Sequence, residues 1–271
     1  MARRRRKKQS DVSIGGLMGA VLLVLIIIGA VAGYFYLRER SKQFPPLDAE
    51  YCPTSGPTSV TAVLLDTTDA IADITKVDLK RQFQKTVADV ERGGLIEVYA
   101  LTDREGALTR TYRGCNPGDG ADADELVSNR KRIQKRWEEG FNKPLQNIGE
   151  QLGEGSEGKQ SPIMAGIQRI VVESFSDAKL EDKPKTLIVA SDMVEHTAAF
   201  SIYKSSTDYG AFEKSSARDK FRSPLDGIGV KVFAFQRENT KPLKELPDFW
   251  FKWVTANGGD WIGYERLAGV E

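Results

Sequence analysis

Asp66-Thr67-Thr68-Asp69 brings two carboxylates and two hydroxyls together directly after an apolar run. Oxygens of these types at one point could coordinate a hard cation or supply a carboxylate nucleophile. The preceding residues, Val60 to Leu65, read VTAVLL. Ala62 to Leu65 is apolar without alternation, as in a strand buried on both faces. In an open α/β sheet, ligands gather where strands end and helices begin. A helix-like pattern starts within the next dozen residues, so Thr68 or Asp69 would serve equally well as its N-cap. The local residues leave both readings, cap and site, standing.

Other residues with chemical capacity are scattered. Asp192 follows a second stretch that reads as a buried strand, KTLIVAS (185–191). Ser161 follows a glycine-rich stretch and precedes Pro162, which reads as a cap and first turn of a helix. His196 is the sole histidine and the one base available to a Ser–His–Asp arrangement. It falls in a polar stretch and reads as incidental. Asp122, Asp124 and Glu125 could attract calcium, but the remaining ligands of an EF-hand loop are missing, so helix N-terminal acids explain them better.

The elements that would position these residues alternate strand and helix. Leu95 to Leu101 (LIEVYAL) and Val230 to Phe235 (VKVFAF) read as further strands. Leu79, Phe83, Val87 and Val90 have helical spacing, ended by Gly93-Gly94. Glu125 to Leu152 reads as helix interrupted near Pro144. Ile163, Ile167, Ile170 and Val171 mark another buried helical face. Phe249, Trp250, Trp253 and Val254 line a last helix, with an edge strand after it at Trp261 to Tyr264. Phe200 to Ser216 is polar and irregular. The predicted fold is α/β: a doubly wound, mainly parallel sheet flanked by helices.

The N-terminal region has a different character. Eight of the 39 basic and two of the 38 acidic residues lie within residues 1–40, leaving 31 basic and 36 acidic elsewhere, a net of −5. Nothing in the main body reads as the basic stripe that a nucleic-acid partner would need. Arg3 to Lys8 is all basic, and no charge follows between Val12 and Leu37. That length suits one transmembrane helix. Its flanking charges predict a cytoplasmic N-terminus, with the rest periplasmic or extracellular on the inner (plasma) membrane. A cleaved signal peptide is the competing reading, but the apolar stretch exceeds a signal core. The chain thus divides into a basic tail (1–13), a transmembrane helix (14–37), a proline-rich linker (38–57) and one domain (58–271). Cys52 and Cys115 both fall outside the membrane. An isolated pair in an oxidising compartment reads as one disulfide, against two unpaired thiols, and would contribute about 4 kcal/mol.

From Ser59 to Glu271 the chain resembles a von Willebrand factor A-type (vWA) domain. That family carries a metal-ion-dependent adhesion site opening with Asp-x-Ser-x-Ser at the end of the first strand. Asp66-Thr67-Thr68-Asp69-Ala70 matches it at Asp66 and Thr68 and departs at Ala70, which offers no oxygen. Ser161 fits the family's loop hydroxyl, and Asp192 its later strand-end acid. The resemblance implies Asp66, Thr68, Ser161 and Asp192 as ligands of Mg²⁺ or another divalent cation, with Asp69 compensating for Ala70 through water. A hard cation favours such oxygen ligands and keeps several waters. An open coordination position would accept a carboxylate from another protein.

The resulting expectation is a non-enzymatic, membrane-anchored protein-binding module with a degenerate metal site. A structural subunit of a membrane assembly, holding no ion, is the alternative. A hydrolase with Asp66 as nucleophile, which the strand-end acid makes similar to haloacid dehalogenase-type phosphatases, ranks lower, because that family has a second acid two positions later and Thr68 stands there.

Overall fold

The structure, a computed structural model, describes residues 14–41, 45–68, 71–121, 129–152, 158–205, 207–235 and 243–268. The chain divides into two units, the first built on the N-terminal helix and the second on Pro46–Ala121 and Arg130–Glu271.

The N-terminal helix α1 spans Ile14–Ser41, 28 residues, or about 42 Å at the rise of an α-helix. Its Gly15–Glu39 stretch is long and apolar enough to cross a membrane. Apolar side chains surround it on all sides, as befits a helix with no face meant for water. It runs beyond the expected end at Leu37 and takes Arg38 and Glu39 into its last turns.

The second unit is a six-stranded sheet. Its strands are β1 (Val60–Asp66), β2 (Leu95–Leu101), β3 (Leu108–Cys115), β4 (Lys185–Ser191), β5 (Ile228–Ala234) and β6 (Asp260–Arg266). They lie in the order β3-β2-β1-β4-β5-β6. All neighbours are parallel except β2 and β3, which pair antiparallel. β1 is central, and the winding direction reverses between β1 and β4, where an open sheet places its ligand crevice.

Helices cover both faces. On one lie α2 (Asp73–Asp89) and a helical run formed by α3 (Arg130–Trp137), a π-helical turn (Glu138–Asn142) and α4 (Lys143–Glu150). The expected break near Pro144 is this π turn. Pro144 itself stands in the first turn of α4 and brings no N–H to the helical run; the Gly140 carbonyl, four residues before it, accepts from the Tyr112 hydroxyl at 3.0 Å. Val63 and Leu65 of β1 pack on this side with Leu79, Phe83, Phe141 and Leu145. On the other face are α5 (Ile163–Ile170), which runs into a second π turn (Val171–Phe175), and α9 (Leu246–Ala256). Val60, Ala62 and Leu64 meet Ile163, Ile167, Trp250 and Trp253 there. The alternation along β1 therefore feeds two apolar layers, each fully buried large side chain contributing about 1.5–3 kcal/mol. Between β4 and β5 the stretch expected to be irregular holds three short helices, α6 (Ile202–Ser205), α7 (Tyr209–Glu213) and α8 (Ala217–Lys220).

The segment expected as a linker divides in two. Its later part, from Pro46, is built into the domain. Cys52 and Cys115 form a disulfide with Cα atoms 4.7 Å apart. The Cys115 N–H donates to the Glu50 carbonyl at 2.9 Å, and Arg113 Nε donates to Glu50 Oε2 at 2.7 Å. Glu97, fully buried on β2, binds Arg113 and, at 3.4 Å, Arg110.

Candidate functional site

Asp66 is the last residue of β1 and is 7% exposed. Its Oδ1 accepts from the Thr68 N–H at 3.0 Å and the Thr68 hydroxyl at 2.6 Å. Its Oδ2 accepts from the Ser161 hydroxyl at 3.1 Å and the Ser191 hydroxyl at 2.7 Å. Three hydroxyls from three segments far apart in sequence thus converge on one carboxylate. Their convergence follows from the sheet. β1 and β4 are parallel with Leu65 opposite Ala190, so Asp66 and Ser191 end neighbouring strands at one level. The Ser161 loop descends onto that level before α5 begins.

Each connection is fixed locally. The Thr67 hydroxyl donates to the Leu101 carbonyl at 2.9 Å and joins the ends of β1 and β2. The Gly158 N–H donates to the Thr68 carbonyl at 2.8 Å. A Cβ at Gly158 would lie 3.0 Å from that of Asp103 and 3.2 Å from that of Thr68, so a side chain would push the loop away. Ser161 and His196 exchange backbone hydrogen bonds, both at 3.0 Å. Gly166 lets α5 sit directly on the sheet, since a Cβ there would meet Leu101 Cδ1 at 2.8 Å.

Asp192, 6% exposed, follows β4 immediately. Its Oδ1 accepts from the Val194 N–H at 2.9 Å. Met193, next in line, has φ 61°, a left-handed conformation unusual for a long side chain. Neighbours hold it in place: its N–H donates to the Ser191 hydroxyl at 2.9 Å, and its carbonyl accepts from Trp250 Nε1 at 2.7 Å. Strain of this kind persists only where the surroundings over-determine it.

Glu195 is fully buried between the Asp192 loop and α5. Its Oε2 accepts from the Met164 N–H at 2.9 Å, in the first turn of α5, while Oε1 has no hydrogen-bond partner among the described residues. Burial pushes its carboxyl up to about 8, only partly opposed by the Met164 and Ile163 N–H groups. His196 bonds Ser201 through Nδ1 at 2.8 Å and stacks edge-on with Tyr203.

The cap reading for this rim fails. The N-cap of α2 is Ala72 and that of α5 is Pro162, neither with a side-chain cap bond. The Thr68 and Ser161 hydroxyls go to Asp66 instead. Of the four ligands implied by resemblance, the structure therefore joins Asp66, Thr68 and Ser161 by hydrogen bonds and sets Asp192 at the end of the adjacent strand. Asp69 and Ala70 lie outside the described residues. Ser191 was missed. Its signal was its position as the final residue of a buried strand, one before an acid.

Among the described residues, no three His, Cys, Asp or Glu side chains gather as a metal cluster. The oxygens at this rim are mostly hydroxyls. A hydroxyl has one proton and two lone pairs. Those of Thr68, Ser161 and Ser191 each give the proton to Asp66, and that of Ser191 also accepts from the Met193 N–H. That donor set fits a hard, oxygen-seeking cation and does not fit a soft one.

A mainly parallel 3-2-1-4-5-6 sheet with an antiparallel β3 at one edge, and this hydroxyl-ringed aspartate ending its central strand, decide the fold. It is von Willebrand factor A-like. Solved structures similar to the vWA-like domain include BatB, a conserved hypothetical protein from Bacteroides thetaiotaomicron, at 14% identity and TM-score 0.37, covering 77% of this chain and 90% of that one. An aerotolerance-related membrane protein from Bacteroides fragilis NCTC 9343 also scores 14% and 0.37, covering 78% and 92%. Proximal thread matrix protein 1 from the mussel byssus, with a zinc-occupied MIDAS motif, scores 12% and 0.35, covering 79% of this chain and 42% of that one. These superpositions are loose; the assignment stands on strand order and edge polarity. No protein-family model and no curated protein matches the sequence.

Proposed function

We propose that this chain is a membrane-anchored, non-catalytic binding module. Its vWA-like domain holds Mg²⁺ or a similar divalent cation at the carboxyl end of β1 and engages a carboxylate of another protein there. The convergence of the Thr68, Ser161 and Ser191 hydroxyls on Asp66 carries the reading. Thr68, Ser161 and Asp192 would hold the cation with Asp66, and Ser191 would keep the Asp66 carboxylate oriented. The cation supplies an open position for an outside oxygen. Helix α1 supplies the anchor, with the N-terminus cytoplasmic and the domain periplasmic or extracellular on the inner (plasma) membrane. The Cys52–Cys115 disulfide supports an oxidising compartment.

A second reading has its own support. Four donors already satisfy Asp66, so the rim is stable without an ion and would suit a structural subunit of a membrane assembly. Calorimetric titration of the detergent-solubilised full chain with Mg²⁺ separates the two. The binding module gives a saturable heat that Asp66→Ala weakens by about tenfold or more, since even outer-shell partners are worth that much. Identical, featureless titrations for both proteins favour the structural subunit and reject the ion.

A further inference from the structure

The net acidic body conceals one strongly basic element. Helix α3 reads RKRIQKRW, with five cations in eight residues. None of its residues is buried, and Arg130, Lys131, Arg132, Gln134 and Lys135 are exposed. Lys135 reaches Glu139 at 4.0 Å, with both side chains largely in solvent, and such exposed pairs neutralise little. No basic stripe was expected in this domain, and the five cations of α3 correct that reading.

The position of α3 is as informative as its charge. The domain begins at Pro46, five residues past the last residue of α1. A trans chain spans at most about 3.6 Å per residue, so the tether reaches roughly 18 Å at full stretch. The entering segment folds back at once through the Leu47–Pro53 bridge and the Cys52–Cys115 disulfide. Tyr51 lays its ring directly on Gly140, where any side chain would collide with it. The Tyr112 hydroxyl donates to the Gly140 carbonyl at 3.0 Å and fixes that turn. Gly140 lies in the π turn that continues α3. At 1.5 Å per residue, Arg136 and Arg130 lie about 6 and 15 Å from it along the axis. The basic helix is therefore beside the point where the chain enters the domain.

We propose that α3 docks on the anionic lipid headgroups of the membrane in which α1 is anchored. Polybasic segments bind such surfaces through the negative surface potential, which decays within a Debye length of about 10 Å at 0.1 M salt. The short tether leaves that range within reach of α3, and the charge match is direct. Docking would orient the domain on its anchor and so fix where the Asp66 rim is presented. This inference rests on the membrane-anchor reading of α1.

The test uses the oxidised full chain, in which Gln134→Cys supplies the one free thiol for a donor dye on α3. The protein is placed in nanodiscs carrying a headgroup-labelled acceptor lipid, either zwitterionic or containing phosphatidylglycerol. Docking raises energy transfer about twofold or more in the anionic discs, and raising salt from about 50 to about 500 mM reverses the rise. Replacing Arg130, Lys131, Lys135 and Arg136 together by glutamine removes it. Gln is nearly as good a helix former, so helicity by circular dichroism stays unchanged. Transfer that ignores lipid charge, salt and the quadruple variant overturns the inference while leaving the anchor intact. Resistance to alkaline carbonate extraction reads the anchor separately, and a chain that carbonate releases overturns both. Salt-sensitive binding of poly-glutamate, equal in both discs and without lipid-dependent transfer, assigns α3 to an acidic protein segment and also overturns the lipid assignment.

Discussion

Two buried carboxylates in this domain meet the same problem in different ways. Glu97, in the middle of β2, has no exposure and is held by the guanidinium groups of Arg113 and Arg110. Asp66, at the end of β1, receives hydroxyls from Thr68, Ser161 and Ser191. A guanidinium has protons to give and no lone pair to offer a cation. Glu97 is thus closed into the scaffold, and through Arg113 and Glu50 it also ties the entering segment to the edge strand. Hydroxyls behave otherwise, giving a proton inward and keeping oxygen lone pairs. Burial alone does not mark a site; the donor type around the buried charge does.

The largest predicted effect breaks the scaffold side of this comparison. Arg113→Met leaves Glu97 with Arg110 at 3.4 Å and the Tyr99 hydroxyl at 3.3 Å, and frees Glu50. Removing one partner of a buried ion pair costs several kcal/mol. The remaining guanidinium keeps the loss near the low end, about 3 kcal/mol, by chemical denaturation. Mg²⁺ binding should not change. A variant that keeps its stability and loses Mg²⁺ affinity would show that the two carboxylates are not the separate systems described above.

Glu195 supplies a third case, with one oxygen bonded to the first turn of α5 and the other, like Glu97 Oε2, without a hydrogen-bond partner among the described residues. Burial raises its folded-state value to about 8 from an ordinary 4.5. The folded chain therefore holds this proton more tightly than the unfolded chain does. The resulting stabilisation is complete below about 4.5 and is lost as pH rises through about 8. Glu195→Gln keeps an oxygen for Met164 and removes the titration. Its stability should vary less between pH 5 and 8 than that of the wild type, measured by denaturant midpoint at each pH. Parallel curves for the two proteins would mean that Glu195 is charged in the folded state.

Much of this scaffold was legible in the residues. LIEVYAL and KTLIVAS are mainly apolar, β-rich stretches, and both strands begin and end where those stretches do. Asp66 and Asp192 were visible because each stops such a stretch. Less visible was anything fixed by register. Ser161 has the local features of a cap, yet α5 starts one residue later from Pro162, and its hydroxyl turns to Asp66. The helices between Ile202 and Lys220 are too short to show a period. Tyr51 read as part of a proline-rich linker, because nothing local announces that Gly140 will receive its ring.

Ser191 provides the finest test of the comparison. Its hydroxyl donates to Asp66 and accepts from the N–H of strained Met193, so one side chain serves both the carboxylate and the turn that carries Asp192. Ser191→Ala removes both bonds. The site is fully buried, so water does not readily replace them, and the loss should be about 1–2 kcal/mol. Ser161→Ala removes only the 3.1 Å bond to Asp66, at the edge of the Met164 turn. It should cost less stability than Ser191→Ala but more Mg²⁺ affinity, because its oxygen would face the cation whereas that of Ser191 is committed to Met193. The two variants therefore rank oppositely in denaturation and in calorimetry. If they rank the same way in both, the hydroxyls around Asp66 are bracing like the arginines around Glu97, and the distinction between the two carboxylates collapses.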